Sequence, residues 1–155
     1  MPTIILADDH SVVRQGIRIL LEREKFEIVA EAADGVEAIA AAAKHQPDIA
    51  ILDLSMPVMN GITAVGEIKK ISPRTKIILL TMYTDEHHVL QALHAGVKAC
   101  VTKTQAVEHL IVAIREVSNG GVYLSPSVSG AVVQAYLTKS DAGYDPLTDR
   151  ERLVL

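Results

Sequence analysis

The sequence has 155 residues, of which 49% are hydrophobic and 22% charged, and its formal net charge is −4. This composition is close to the globular average and excludes a mainly disordered chain, while the negative charge excludes a bulk attraction to nucleic acid. The lone cysteine, Cys100, permits no internal disulfide and fits a reducing cytosol. No stretch approaches the ~20 apolar residues of a membrane helix. We therefore expect a cytoplasmic location and no membrane partner.

Short apolar runs alternate with helical patterns through the first 120 residues. The predicted strands are Thr3–Ala7, Ile28–Glu31, Asp48–Asp53, Lys76–Thr81 and Val97–Thr102. The predicted helices are Ser11–Glu24, Asp34–His45, Gly61–Ile71, Asp85–Ala95 and Ala106–Ser118. Continuous Ile/Leu/Val strands separated by helices of about 10–15 residues indicate a parallel sheet covered on both faces. We therefore predict an α/β fold of five βα units, (βα)5, with a doubly wound, five-stranded parallel sheet of the flavodoxin type.

The pattern changes after Gly121. Ser125 resembles a helix N-cap with Pro126 at the first helical position, which predicts an extra C-terminal helix at about Ser127–Leu137. Residues 138–146 have the Ser, Asp, Gly and Pro content of a linker. The final LTDRERLVL begins another helix but is too short to bury a core. We therefore divide the chain into three parts. Residues 1–120 form a first domain, residues 121–146 an additional helix and a linker, and residues 147–155 the truncated start of a second domain.

Polar residues with complementary chemistry follow the predicted strands. Asp8 and Asp9 come after the first strand, and Asp53, Thr81 and Lys103 stand at or after the ends of three others. The carboxyl ends of parallel strands share one edge, where ligands of such folds bind. Carboxylates brought this close repel one another unless a cation is present. Carboxylate, carbonyl and water oxygens suit Mg²⁺, so we predict a magnesium site at this edge.

The same edge has the groups that a phosphoryl transfer needs. The Asp53 carboxylate is a candidate nucleophile, because carboxylates form acyl phosphates. Mg²⁺ and Lys103 would supply positive charge to the oxygens of the transferred group. The Thr81 hydroxyl is a candidate hydrogen-bond partner for one of those oxygens.

Four motifs at these strand ends, DDH, DLSMPVMNG, LLTMY and VTK, occur in order. Together they resemble the receiver domain of two-component response regulators, over residues 1 to about 120, and imply its CheY-like fold. The resemblance implies that Asp53 accepts the phosphoryl group from a sensor histidine kinase. It also implies that Asp8 and Asp9 are the metal-site acids and that the backbone carbonyl of Ser55 is the third protein ligand of Mg²⁺. By the same resemblance, Thr81 provides the switch hydroxyl and Lys103 is the phosphate-binding lysine.

Three further segments resemble the NarL/FixJ subfamily: the opening DDHSVVRQGI, the short helix after Gly121 and the LTDRERLVL tail. Members of that subfamily have a LuxR-type helix-turn-helix as their second domain. The resemblance implies a transcription regulator whose DNA-binding domain is almost entirely absent here, so that DNA would be bound only through that missing domain. It also implies homodimerisation on phosphorylation, through either the first and last helices or the face of the fourth helix.

One position departs from the family pattern. The family usually has an aromatic residue at Cys100, and that ring moves inward when the switch hydroxyl binds the phosphoryl group. The small cysteine puts this half of the switch in doubt, and Tyr83 is an alternative mobile ring. Met82 is bulkier than the alanine common at its position, and we hypothesise that it hinders water and lengthens the lifetime of the phosphoryl group.

Other functions of an α/β fold fit the sequence less well. A phosphatase of the haloacid dehalogenase type requires a second aspartate two residues after the nucleophile, where this chain has Ser55. No GxGxxG follows the first strand and no GxxxxGK[ST] occurs, which argues against nucleotide binding. A phosphorylation-independent receiver-like interaction module remains the alternative, since Cys100 departs from the pattern. We expect no turnover of an external substrate, so the chain is not predicted to be an enzyme.

Overall fold

The computed structural model describes residues 2–82, 86–126, 128–130, 133 and 137. Its centre is a parallel sheet with the strand order β2-β1-β3-β4-β5-β6. The strands are β1 Thr3–Ala7, β2 Glu27–Ala32, β3 Ile49–Asp53, β4 Lys76–Thr81, β5 Ala99–Thr102 and β6 Tyr123–Leu124. The first five strands have the order that the flavodoxin type of doubly wound fold requires. The predicted α/β fold is therefore confirmed.

Five helices connect these strands and cover both faces of the sheet. They are α1 Ser11–Arg23, α2 Gly35–His45, α3 Gly61–Ile71, α4 Glu86–His94 and α5 Ala106–Ser118. A short 3-10 turn, Lys103–Gln105, precedes α5. Among the described residues, no helix combines the length and the apolar character needed to cross a bilayer.

The sheet has a sixth strand, whereas the sequence predicted five. Tyr123 pairs with Ala99 and Leu124 with Cys100, so β6 adds to the edge of β5 in parallel. The chain reverses after α5 at Gly120, whose φ of +88° a glycine adopts without strain. Two residues are too few to form a periodic pattern, and only their pairing with β5 identifies them as a strand.

The bounds of β5 also differ from the prediction, which began that strand at Val97. The amide of Val97 donates instead to the carbonyl of Ala92, as part of the turn that ends α4. Gly96 stands in this turn with a φ of +102°, as its predicted position at the helix end requires. An apolar residue after a glycine therefore belongs to the helix cap and not to the strand.

Two apolar layers flank the sheet, one on each face. Alternate residues of β3 point to opposite layers: Ala50 and Leu52 to the layer of α2, α3 and α4, and Ile49 and Ile51 to the layer of α1 and α5. All four are at most 1% exposed. A strand buried on both faces is therefore a continuous apolar run, as the sequence has it.

The described part of the C-terminal segment is helical. Pro126, residues 128–130, and residues 133 and 137 have helical backbone, and the amide of Ser129 donates to the carbonyl of Ser125 at 2.9 Å. The carbonyl of Ser125 thus accepts a helical hydrogen bond, whereas its buried hydroxyl, the group that would cap the helix, has no hydrogen-bond partner among the described residues. The predicted linker and the LTDRERLVL tail lie outside the described residues, so the predicted division of the chain stays a prediction.

Candidate functional site

Strand register brings the polar residues of the motifs to one edge of the sheet. Ala7 pairs with Leu52, which sets Asp8 beside Asp53 on neighbouring strands. Asp53 in turn pairs with Leu80, the residue before Thr81. Thr81 pairs with Thr102, the residue before Lys103. The four side chains thus follow one another across three strand pairs.

Asp53 is nearly sealed from solvent and has a cationic partner. The residue is 1% exposed, its Oδ2 accepts from Nζ of Lys103 at 3.1 Å, and its Oδ1 accepts from the amide of Ser55 at 3.2 Å. Burial raises the pKa of Asp53 from 3.8 to about 6, although the hydrogen bond and the charge of Lys103 partly offset this effect and the neighbouring Asp8 adds to it. This carboxylate is therefore ionised at neutral pH at a cost in stability.

Asp8 is the second buried carboxylate of the site and is 0% exposed. Its Oδ1 accepts from the amide of His10 at 2.8 Å and from Nζ of Lys103 at 3.1 Å. Its Oδ2 lies 2.9 Å from the same Nζ, yet it accepts no hydrogen bond from any described residue. The ammonium of Lys103 is thus an ion-pair partner of this oxygen outside hydrogen-bond geometry, which leaves the lone pairs of Oδ2 available to a second cation.

Lys103 is shared between the two buried carboxylates, and its side chain is only 4% exposed. Burial lowers the pKa of this ammonium, but the hydrogen bonds and charges of Asp8 and Asp53 outweigh it, so the net shift is upward. Lys103 is therefore a fixed positive charge beside the candidate nucleophile. One ammonium does not neutralise the carboxylates around it, because Asp9 stands at the same edge with a side chain 30% exposed.

The donor set fits a hard divalent cation. Ligand atoms of Asp8, Asp9, His10 and Asp53 all lie within 4.8 Å of one another. Three of these four residues supply carboxylate oxygens, the ligands that Mg²⁺ prefers. Ser55 is exposed at the start of the loop after β3. The resemblance implies that its backbone carbonyl is a further ligand. The acidic edge is thus compatible with Mg²⁺, and the individual ligand assignments stay predictions.

The remaining predicted residues are distributed around this edge. Thr81 is 2% exposed and ends β4, next to the site. Met82 is 55% exposed and lines, with Val13, Ser55 and Lys103, an open cavity of about 560 Å³ beside the acids. Tyr83 lies outside the described residues.

Cys100 lies in the interior of the sheet and not at the site. It is 0% exposed in the layer that also contains Leu124 and Val128, and burial raises the pKa of its thiol to about 12. A thiol with this pKa is not a reactive nucleophile at neutral pH. Its surroundings are therefore those of a small apolar core residue.

The loop that carries the nucleophile has two backbone features whose roles sequence reasoning missed. A Cβ on Gly61 would stand 2.6 Å from the carbonyl oxygen of Asp53 and 2.8 Å from Cα of Leu54, so the start of α3 needs glycine against the end of β3. Val58 has a φ of 71°, which a β-branched residue adopts only with strain. Gly61 closes the DLSMPVMNG motif and was visible there, whereas no sequence signal marks the backbone of Val58.

Comparison with known proteins places this geometry in a family. The response regulator receiver domain family matches residues 4–115. The oxygen regulatory protein NreC of Staphylococcus epidermidis is 41% identical over 139 residues, which are 88% of this chain and 64% of that protein. NreC of Staphylococcus carnosus is 38% identical over 97% of this chain and 70% of its own length. The chain thus spans about two thirds of the length of these relatives.

A solved structure agrees with the sequence matches. A LuxR-family two-component response regulator from an Aurantimonas species is 33% identical, with a TM-score of 0.84 over 88% of this chain and 99% of its own. The receiver domain of RcsB from Salmonella enterica, solved with a phosphomimetic beryllofluoride, is 32% identical, with a TM-score of 0.78 over 84% of this chain and 98% of its own. These findings confirm the resemblance derived from the motifs: the chain belongs to the response regulator receiver domain family.

Proposed function

We propose that this chain accepts a phosphoryl group on Asp53 from the phosphohistidine of a sensor histidine kinase. The observation that carries the proposal is the placement of Asp53: a carboxylate 1% exposed, bonded to Lys103 and beside two further acids at one sheet edge. In the reaction an oxygen of Asp53 bonds to phosphorus while the P–N bond breaks. The electron pair of the broken P–N bond stays on the imidazole nitrogen of the kinase. The chain would catalyse only its own modification, with no turnover of another substrate.

The acids at the edge would hold Mg²⁺ for this transfer. Asp8, Asp9 and Asp53 would supply carboxylates and Ser55 its carbonyl, and the ion would neutralise charge on the phosphoryl oxygens. Lys103 already lies 3.1 Å from Asp53 Oδ2 and would bind an oxygen of the transferred group. The buried carboxylates would otherwise repel the incoming anion, so these residues need the cation before the phosphoryl group arrives.

Thr81 would transmit the change. It stands one strand from Asp53 and is buried, so its hydroxyl would bind the phosphoryl group with little loss of side-chain freedom. Cys100 lies two positions before Thr102, the register partner of Thr81, and pairs with Leu124 of β6. We propose that the readout passes through this packing, since no ring stands at position 100.

The output of the whole protein would be transcriptional. NreC is by name an oxygen regulatory protein, and RcsB has been solved as two dimers bound to two parallel DNAs. By analogy, phosphorylation of Asp53 would favour a homodimer that pairs two DNA-binding domains, and DNA would be bound only through those domains. The exchange with the kinase would take place in the cytoplasm, where the lone thiol stays reduced.

Acetyl phosphate tests the proposal directly. The protein is incubated with Mg²⁺ and acetyl phosphate, and its intact mass is measured alongside Asp53→Asn. We expect a gain of one phosphoryl group that Asp53→Asn and a chelator both abolish. Asp34→Asn is the matched control. The Asp34 side chain caps α2 by accepting from the amide of Glu37 at 2.8 Å, and asparagine is an equally good helix cap. If the chain gains mass neither from acetyl phosphate nor from a phosphorylated histidine kinase, the result would favour the alternative, a phosphorylation-independent interaction module.

A further inference from the structure

The imidazole of His10 stands among the acids of the site. Its Nδ1 lies 3.1 Å from Nζ of Lys103, 3.3 Å from Oδ1 of Asp8 and 3.4 Å from Oδ1 of Asp9. We propose that His10 is an additional ligand of the cation site, which makes it a mixed nitrogen and oxygen site. Such a site would bind borderline divalent ions such as Fe²⁺, Co²⁺ and Ni²⁺ more tightly than carboxylates alone would. The inference rests on the cation site of the proposed function and names a ligand beyond it.

The position of the imidazole is set by the backbone and not by helix capping. His10 precedes α1 with an extended backbone, φ −87° and ψ 103°, and its side chain makes no capping hydrogen bond. Its own amide donates to Oδ1 of Asp8 at 2.8 Å, which ties the residue to the site. The backbone of His10 is therefore tied to the site, and its ring, 60% exposed, reaches the acids from there.

The contact with Lys103 indicates which face of the ring points inward. An ammonium has donors only, so a hydrogen bond between Nζ of Lys103 and Nδ1 of His10 uses the lone pair of Nδ1. This contact is the shortest of the three around Nδ1. In the structure this lone pair meets the ammonium of Lys103, so a metal ion bound to Nδ1 would take the place of that contact beside the carboxylates of Asp8 and Asp9.

Asp8 also has an oxygen that a cation could contact. Its Oδ2 is buried and lies 2.9 Å from the ammonium of Lys103, but it accepts no hydrogen bond from any described residue. Ligand atoms of Asp8, Asp9, His10 and Asp53 lie within 4.8 Å of one another, close enough for one ion to contact several of them. Imidazole nitrogen suits first-row transition ions, with affinity rising from Mn²⁺ to Ni²⁺, whereas Mg²⁺ favours oxygen. His10 would thus change which ion the site prefers.

Pulsed EPR of Mn²⁺ bound to the full 155-residue chain tests the contact itself. A coordinated imidazole couples its ¹⁴N nucleus to the electron spin of the ion, and electron spin echo envelope modulation detects that coupling. We expect the modulation in the unchanged protein and its loss in His10→Asn. His45→Asn is the matched control, because His45 is exposed at the end of α2 and should leave the signal unchanged.

Calorimetric titration with Ni²⁺ and with Mg²⁺ tests the preference. We expect His10→Asn to weaken Ni²⁺ roughly tenfold or more and Mg²⁺ less than about twofold. Mn²⁺ that binds without ¹⁴N modulation, or Ni²⁺ and Mg²⁺ weakened equally, would overturn the role of His10 and leave the proposed function standing. In that case the imidazole is only a hydrogen-bond partner of Lys103. A chain that binds no divalent ion would overturn both.

Discussion

The interior of the sheet and its carboxyl edge use the same strands but have opposite electrostatics. In β3, Ile51 and Leu52 are fully buried and apolar, and the next residue, Asp53, is buried and charged. Burial stabilises the fold at the first two positions and destabilises it at the third, where it raises the pKa of the carboxyl to about 6. The apolar interior therefore stabilises the fold. The edge destabilises it, because it keeps buried charges at the place where a cation and a phosphoryl group would bind.

The largest effect should come from the interior. Leu52→Ala removes a fully buried side chain, and we expect it to lower the free energy of unfolding by about 2–5 kcal/mol, since the close-packed layer would keep a cavity. Urea denaturation measures this change. Val12→Ala, at a residue 80% exposed on α1, should change stability by less than about 0.5 kcal/mol. A loss below about 1 kcal/mol at Leu52 would remove the contrast between interior and edge.

The edge should respond in the opposite direction. Asp53→Asn removes a charge that burial disfavours, so we expect it to raise the free energy of unfolding by about 1–2 kcal/mol at pH 7.5 without divalent ions. The folded-state pKa of Asp53 is above its unfolded value, so the unmodified protein loses stability as the pH rises from about 4 to about 6.

The gain from Asp53→Asn should therefore be much smaller at pH 4, where the aspartate is protonated in the folded state and about half protonated in the unfolded state. Thermal or urea unfolding of both proteins at the two pH values measures this difference, with Asp34→Asn as the control. A variant that is less stable than the parent at pH 7.5 would show that the attraction of Lys103 outweighs the cost of burial.

A smaller gain is expected in the loop that joins the two regions. Val58 has a φ of 71° and is 80% exposed, so its branched side chain adds strain and little packing. Val58→Gly should raise the free energy of unfolding by roughly 0.5–1 kcal/mol, because glycine adopts this backbone without strain. Val58→Ala keeps a Cβ and should gain less. Equal stability of all three proteins in urea would show that the loop stores no strain.

The smallest effect concerns the lifetime of the phosphoryl group. Met82 is 55% exposed and lines the cavity beside Lys103, a position from which it would hinder water. We expect Met82→Ala to lose the phosphoryl group roughly threefold faster. This corresponds to a decrease of less than about 1 kcal/mol in the activation free energy of hydrolysis. Intact mass followed over time measures the rate, with Val36→Ala on α2 as a control at another exposed apolar residue. A variant that loses the group no faster than the parent would sink the hypothesis.

Sequence patterns predicted most of the first 120 residues because the strands are buried on both faces. Runs such as residues 49–52 are apolar throughout, and the predicted bounds of β1, β4, α3 and α5 agree with the structure. The pairing of β6 with β5 escaped prediction, since Tyr123 and Leu124 carry no period of their own. Gly96 marked the end of α4, but Val97 was misassigned because its amide bonds back to Ala92.

The sequence by itself determined the strand runs, the helical periods and the chemistry at the strand ends, because these depend on residue types a few positions apart. It therefore indicated the family and the acids and the lysine of the site. Only the tertiary structure decided how they interact: Lys103 lies between Asp8 and Asp53, residues 95 and 50 positions away in the chain. The raised pKa of Asp53, the ion pair of Asp8 with Lys103 and the place of His10 follow from burial and distance, which arise only when the strands pair.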